Sequence, residues 1–201
     1  MIKVGIIGCG GIAFGKHLPS LKKLPQVEMV AFCDLELERA EKAKKEYGTE
    51  DAQIFTDYKE LLALDLDVVH VLTPNNTHAT ISIAAMESDK HVMCEKPMAI
   101  NGEEAQAMLD IMEKTKKKLT IGYQNRFRSD EQFLYKQTQK GALGNIYMSK
   151  AKAIRRRAVP TWGVFLDEEK QGGGPLIDIG THALDLTLWM MDNYGCGQCL
   201  S

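Results

Sequence analysis

Six short apolar runs punctuate the first 122 residues: 4–7, 27–33, 53–55, 67–72, 91–94 and 119–122. The first two read as strands buried on the inside of a sheet and the other four as further strands. Residues 12–23, 36–47, 57–64, 78–88 and 101–115 lie between them and read as helices. Pro25 closes the first helix, and Asn101 with Glu104 forms a capping box at the start of the last. Strands alternating with helices predict a doubly wound parallel sheet. The pattern changes from Ser129. Residues 130–140 read as a helix, 141–145 as a turn, and 146–154 (IYMSKAKAI) alternate like a half-exposed strand. Arginines 155–157 and a loop through Trp162 follow. Gly172, Gly173, Gly174 and Pro175 then lead into a helix over 176–191. The expected organisation is an α/β domain at 1–127 and a partial α+β domain at 128–201.

The first strand ends in Gly8, Cys9, Gly10, Gly11, Ile12, Ala13, a G-x-G-x-x-A spacing between strand and helix. Gly8 permits a tight turn, Gly10 lets the backbone approach a diphosphate, and Ala13 lets the helix sit close to the strand. The helix start offers unpaired N–H groups and the positive end of its dipole to phosphates. Such a turn is a weak signal alone and gains force from an acid at the tip of the next strand, about 20 residues on. Asp34 stands there. Its carboxylate can accept hydrogen bonds from the adenosine ribose hydroxyls and would repel a 2′-phosphate. Leu35 and Glu36 add no base, so NAD is expected rather than NADP. The plainer role for Asp34 is to cap the helix over 36–47.

Composition narrows the class. Of 201 residues, 44% are hydrophobic and 26% charged, with a net charge of −2. No excess of base is available for nucleic acid, and no apolar run is long enough to span a bilayer. Of five cysteines, Cys9, Cys33 and Cys94 fall in apolar runs. That pattern fits reduced thiols in the cytoplasm better than a disulfide framework.

Two places carry candidate chemistry. The polar loop Thr73, Pro74, Asn75, Asn76, Thr77, His78 follows the fourth strand, at the edge of the sheet where ligands bind. Thr73, Pro74, Asn76 and His78 are candidates to line a cofactor, although a lone histidine there is more simply a solvated or capping residue. Glu95, Lys96 and Pro97 follow the fifth strand. A partly desolvated Lys96 can act as an acid or base or hold a hydroxyl, and Glu95 can orient it. An ordinary loop ion pair is the plainer reading. On the last predicted helix Asp178, His182 and Asp185 lie at i, i+4 and i+7 and share one face. Leu184, Leu188 and Met191 cover another. A carboxylate one turn from an imidazole can fix its tautomer and raise its basicity. Gly180 inside that helix suggests close approach of a ligand or backbone. No further histidine or cysteine shares the stretch, so no metal is expected.

Taken in order, the glycine turn with Asp34, TPNNTHA, Glu95–Lys96–Pro97, GYQNRF and GGGPLIDIGTHALD resemble the Gfo/Idh/MocA family of oxidoreductases. The resemblance implies a Rossmann domain binding NAD through Gly8, Gly10, Gly11, Ile12, Asp34, Thr73, Pro74, Asn76, His78, Glu95, Lys96 and Arg126. It implies a catalytic group of Lys96, Asp178 and His182. His182 would take the proton of a sugar or polyol hydroxyl, Lys96 would assist, and Arg126 and Asp185 would orient. It further implies a second domain built on a large antiparallel sheet, through which full-length relatives form homo-oligomers. That sheet does not follow the last helix in this sequence, so the chain reads as truncated at its C-terminus. The strand over 146–154 is then expected to lack neighbours. Cys196 and Cys199 read as an accidental tail rather than a redox pair or half a zinc site. NAD-dependent glycoside hydrolysis, known in the same family, and a dinucleotide-binding remnant without turnover are the alternatives.

Overall fold

The computed structural model describes residues 1–154, 156–157, 160–161 and 163–192. Cys196 and Cys199 lie outside them. The chain packs as two units, Met1–Gly122 and Tyr123–Ser201.

The first unit is a six-stranded parallel sheet of β1 (Ile2–Ile7), β2 (Val27–Cys33), β3 (Gln53–Phe55), β4 (Val68–Val71), β5 (His91–Cys94) and β6 (Leu119–Ile121). The strand order is β3-β2-β1-β4-β5-β6, with every neighbouring pair parallel. Chain direction across the sheet reverses between β1 and β4, and the carboxyl ends of those strands open the crevice where such sheets bind ligands.

Alternating side chains divide the core between the two faces of the sheet. Val4, Ile6, Met29 and Phe32 pack with Leu18 and Leu21 of α1 (Leu18–Leu21) and with Ala40 and Ala43 of α2 (Leu37–Tyr47). Ile7, Val69, Val71, Val92 and Cys94 pack on the other side with α3 (Tyr58–Leu62) and α4 (His78–Glu87). Burying each large aliphatic or aromatic side chain here stabilises by about 1.5–3 kcal/mol. The sixth strand is reached through α5 (Gly102–Thr115). Asn101 caps that helix, its Oδ1 accepting the Glu104 N–H at 2.8 Å.

The helix predicted over 12–23 is not regular. It opens with a π-helical turn, Ala13–His17, before α1. Pro19 lies in the first turn of α1 and has no N–H to give the Gly15 carbonyl. Its ring also crowds that carbonyl, and widening the preceding turn relieves both.

The second unit carries a 3-10 turn at Gln124–Phe127, α6 (Ser129–Gln139), α7 (Glu168–Gln171), a second π-helical turn at Leu176–Gly180, and α8 (Thr181–Met190). The strand expected over 146–154 does not form, and Tyr147, Met148 and Ile154 are exposed. An alternating segment becomes a strand only when another pairs with it, and none among the described residues does. The helix expected over 176–191 forms without a break, opening with the π turn and continuing as α8. A Cβ on Gly180 would meet Leu176 Cδ1 at 2.9 Å. The close approach that Gly180 permits is therefore made by a side chain of its own turn. Among the described residues no helix is long and apolar enough to cross a membrane.

Candidate functional site

The glycine turn is built as a cradle. Gly8 has φ +94°, and a Cβ there would lie 2.7 Å from the carbonyl carbon and oxygen of Leu72. Only glycine lets β1 pass so close to the end of β4. A Cβ on Gly10 or Gly11 would meet nothing within 4 Å. That face of the turn is therefore clear for a diphosphate, and Ile12 begins the helical turns behind it.

Asp34, directly after β2, fixes the turn from the side. Its Oδ2 accepts the Cys9 N–H at 2.8 Å, and its Oδ1 accepts the Glu36 N–H at 2.9 Å. The second bond forms a turn ahead of α2, whose N-cap is Glu36 itself. Capping thus does not account for Asp34. Each of its oxygens retains a lone pair for a ribose hydroxyl, while its charge opposes a 2′-phosphate. Beneath it, the Cys9 thiol is pushed up to about 12, by burial first and by the Asp34 charge second. The glycine turn, the clear space over it and the half-buried acid fit a dinucleotide.

The loop after β4 is a 3-10 turn, Asn75–Thr77, leading into α4. Thr77 Oγ1 lies 2.7 Å from Thr73 Oγ1 and 2.8 Å from the Pro74 carbonyl. Pro74 is exposed, Asn76 half-buried and Asn75 buried. His78 is 1% exposed, so the solvated reading is corrected. Its Nδ1 lies 2.7 Å from the Pro97 carbonyl and its Nε2 2.9 Å from the Thr73 carbonyl. Both neighbours are acceptors, so the neutral ring donates to one carbonyl and packs against the other, bridging the loop after β4 and the loop after β5. Burial lowers the pKa of His78 against the pull of these two carbonyls.

Lys96, half-buried, follows β5, and its N–H donates to Glu95 Oε2 at 3.1 Å. Glu95 Oε1 accepts from His17 Nε2 at 2.8 Å, and His17 Nδ1 lies 3.2 Å from His70 Nδ1. Burial alone would raise the Glu95 carboxyl. The His17 hydrogen bond and charge, with the Lys96 N–H and charge, outweigh it and hold the group below the ordinary carboxylate range. Burial pushes His70 down to about 3. Gly122 makes room for this carboxylate, since a Cβ there would stand 3.2 Å from Glu95 Oε1.

Sequence reasoning singled out neither His17 nor His70. One signal was present: a histidine inside the apolar run of β4 cannot be buried without a polar partner. Finding that partner required the fold, because His17 is 53 residues away.

In the second unit Arg126 does not stand alone. Its guanidinium grips the Asp185 carboxylate with both Nε and Nη2. It also lies 5.8 Å from the Tyr123 ring centre and 5.9 Å from that of Trp189. Trp189 stacks on Tyr135 at 4.0 Å, and the Tyr123 hydroxyl lies 3.0 Å from Thr181 Oγ1. His182 meets the Tyr123 ring edge to face at 6.3 Å. Asp185 is buried, whereas Leu184, expected on a covered face, is 51% exposed. The bidentate charge-assisted pair turns the Asp185 side of α8 inward. Asp178, on the π turn, lines a cavity of about 600 Å³ with Arg156, Arg157 and Phe165.

A sequence profile described as "Oxidoreductase family, NAD-binding Rossmann fold" matches residues 2–123, and one described as "GFO/IDH/MocA C-terminal domain" matches residues 132–194. The chain is 42% identical over 191 residues to D-glucoside 3-dehydrogenase of Escherichia coli (strain K12), covering 94% of this chain and 54% of that one. It is 32% identical over 198 residues to glucose-6-phosphate 3-dehydrogenase of Bacillus subtilis (strain 168), covering 96% and 55%. Among solved structures, an aldose-aldose oxidoreductase from Caulobacter crescentus complexed with glycerol is similar at TM-score 0.80 and 26% identity, covering 95% of this chain and 58% of that one. The chain spans about half the length of the curated relatives it matches.

Proposed function

Because this chain belongs to the Gfo/Idh/MocA family of oxidoreductases, we propose that it serves an NAD-dependent dehydrogenase acting on a hydroxyl of a sugar or polyol. The observation that carries this reading is the Asp34 carboxylate bonded to the glycine turn beside the clear space over Gly10. Residues 1–127 hold the dinucleotide, and residues 128–201 belong to the domain that binds substrate and, in longer relatives, carries the oligomer contact. Gly8, Gly10, Gly11 and Ile12 receive the diphosphate and Asp34 the adenosine ribose. Thr73, Pro74, Asn76, Glu95 and Lys96 flank the cofactor from the tips of β4 and β5. His78 contributes from behind by fixing both loops, and Arg126 acts through its pairing with Asp185. Bound NAD supplies the acceptor for a hydride. The Lys96 ammonium holds the substrate hydroxyl oxygen, and the His182 imidazole takes its proton, with Asp178 fixing the imidazole. Three buried free thiols support a reducing, cytoplasmic setting.

The test is NADH formation from NAD with a panel of methyl glucosides, glucose 6-phosphate and inositols. Formation with at least one of them, lost in Lys96→Ala and in His182→Ala, is expected. Release of an aglycone from nitrophenyl glycosides without net NADH would overturn this reading in favour of redox-assisted hydrolysis. Tight NADH binding with no turnover on any of them would reduce the chain to a binding module.

A further inference from the structure

We propose that His17 is a positioning residue for Lys96, acting through the Glu95 carboxylate. This rests on the role given to Lys96 above. Three side chains from three separate segments form one continuous line: His70 on β4, His17 at the end of the π turn, and Glu95 at the tip of β5. The line ends on the backbone N–H of Lys96. His17 and Glu95 side chains are only 10% and 13% exposed.

The donors can be assigned by elimination. A carboxylate only accepts, so His17 Nε2 carries a proton toward Glu95. The two Nδ1 atoms of His17 and His70, 3.2 Å apart, share one proton between them. His70 thereby holds the His17 ring, His17 fixes the Glu95 rotamer, and Glu95 holds the peptide from which the Lys96 side chain springs. Behind it, the Pro97 carbonyl is held by His78. The peptide carrying Lys96 is thus pinned on both sides, and on one of them by the helix that begins at the glycine turn. Glu95 also needs the space left by Gly122. An ordinary surface ion pair would require none of this surrounding structure.

Three variants separate positioning from mere stability. His17→Gln places an amide donor where Nε2 stood and should keep most of kcat. His17→Leu strands a buried carboxylate and risks the fold. The double variant His17→Leu/Glu95→Met replaces the pair by apolar groups of similar volume, which is commonly close to neutral in stability. The double variant should fold, with a far-UV spectrum like the wild type's and one cooperative thermal transition. Its kcat should fall by about 10- to 100-fold with little change in KM, the penalty typical of a reacting group displaced by about 1 Å. Independently of turnover, hydrogen exchange at the Lys96 amide should accelerate at least tenfold in the double variant and stay slow in His17→Gln. Wild-type kcat and unchanged Lys96 exchange in a folded double variant would overturn the proposal. Loss of kcat in Lys96→Ala alongside a fully active double variant would refute His17 alone. A fully active Lys96→Ala would instead refute the site reading on which the proposal rests.

Discussion

Gly8 and Gly10, two residues apart in one turn, should respond to the same substitution in opposite ways. Gly8→Ala forces an alanine to φ +94° and places its Cβ 2.7 Å from backbone atoms of Leu72, inside van der Waals contact. A left-handed backbone costs a non-glycine residue about 1–2 kcal/mol. Overpacking against a fixed strand end adds about 1–3 kcal/mol. For a chain of this length each kcal/mol lowers Tm by about 2–4 °C, so a fall of about 4–20 °C is expected. Gly10→Ala meets nothing within 4 Å and should leave stability within about 0.5 kcal/mol of the wild type. Its new methyl group instead projects into the space assigned to the diphosphate. NADH affinity should drop at least tenfold, about 1.4 kcal/mol. Thermal unfolding and titration of NADH fluorescence read the two quantities separately. Unchanged NADH affinity in Gly10→Ala would refute the placement of the diphosphate. An unchanged Tm in Gly8→Ala would refute the steric argument for the turn.

Other consequences follow from the buried groups. His70 and His78 both have lowered pKa values, His70 at about 3. The unfolded chain therefore binds more protons than the folded one below the ordinary histidine pKa of about 6.5, and stability is lost as pH falls from there toward 3. Urea unfolding at several pH values should show a loss of up to about 1.4 kcal/mol per pH unit from His70 alone, and a stability that rises between pH 7 and pH 5 would contradict the assignment. His78→Leu should destabilise by about 1–3 kcal/mol by leaving a loop carbonyl, that of Pro97 or of Thr73, without its donor; a midpoint equal to the wild type would show that the bridge contributes nothing. Cys9, Cys33 and Cys94 are buried with thiols pushed up to about 12, so a thiol reagent at pH 8 should label them only at the rate of unfolding. Fast labelling of any of the three in the native protein would refute that burial.

Much of the first unit was legible because its signals are local. Apolar runs of three to seven residues set the strands, and Asp34 lies where a short count along the chain places it. What escaped was long-range. The partners of His17 and His70 lie on different elements, and the wide π turn beneath them follows from Pro19 acting on the turn before it. The second unit was less legible because its expected strand depends on neighbours rather than on its own alternation. Helical spacing also misjudged Leu184, which it placed on a covered face of α8. The outward position of Leu184 follows from the grip of Arg126 on Asp185, which no periodicity reports.

The central claim is that a dinucleotide lies over this turn with its adenosine ribose on Asp34. Parallel titrations of the protein with NADH and NADPH test it most directly. NADH should bind at least tenfold more tightly, and Asp34→Ser should remove most of that preference while the protein remains folded. Equal affinity for the two nucleotides, or a preference for NADH that survives Asp34→Ser, would contradict the account.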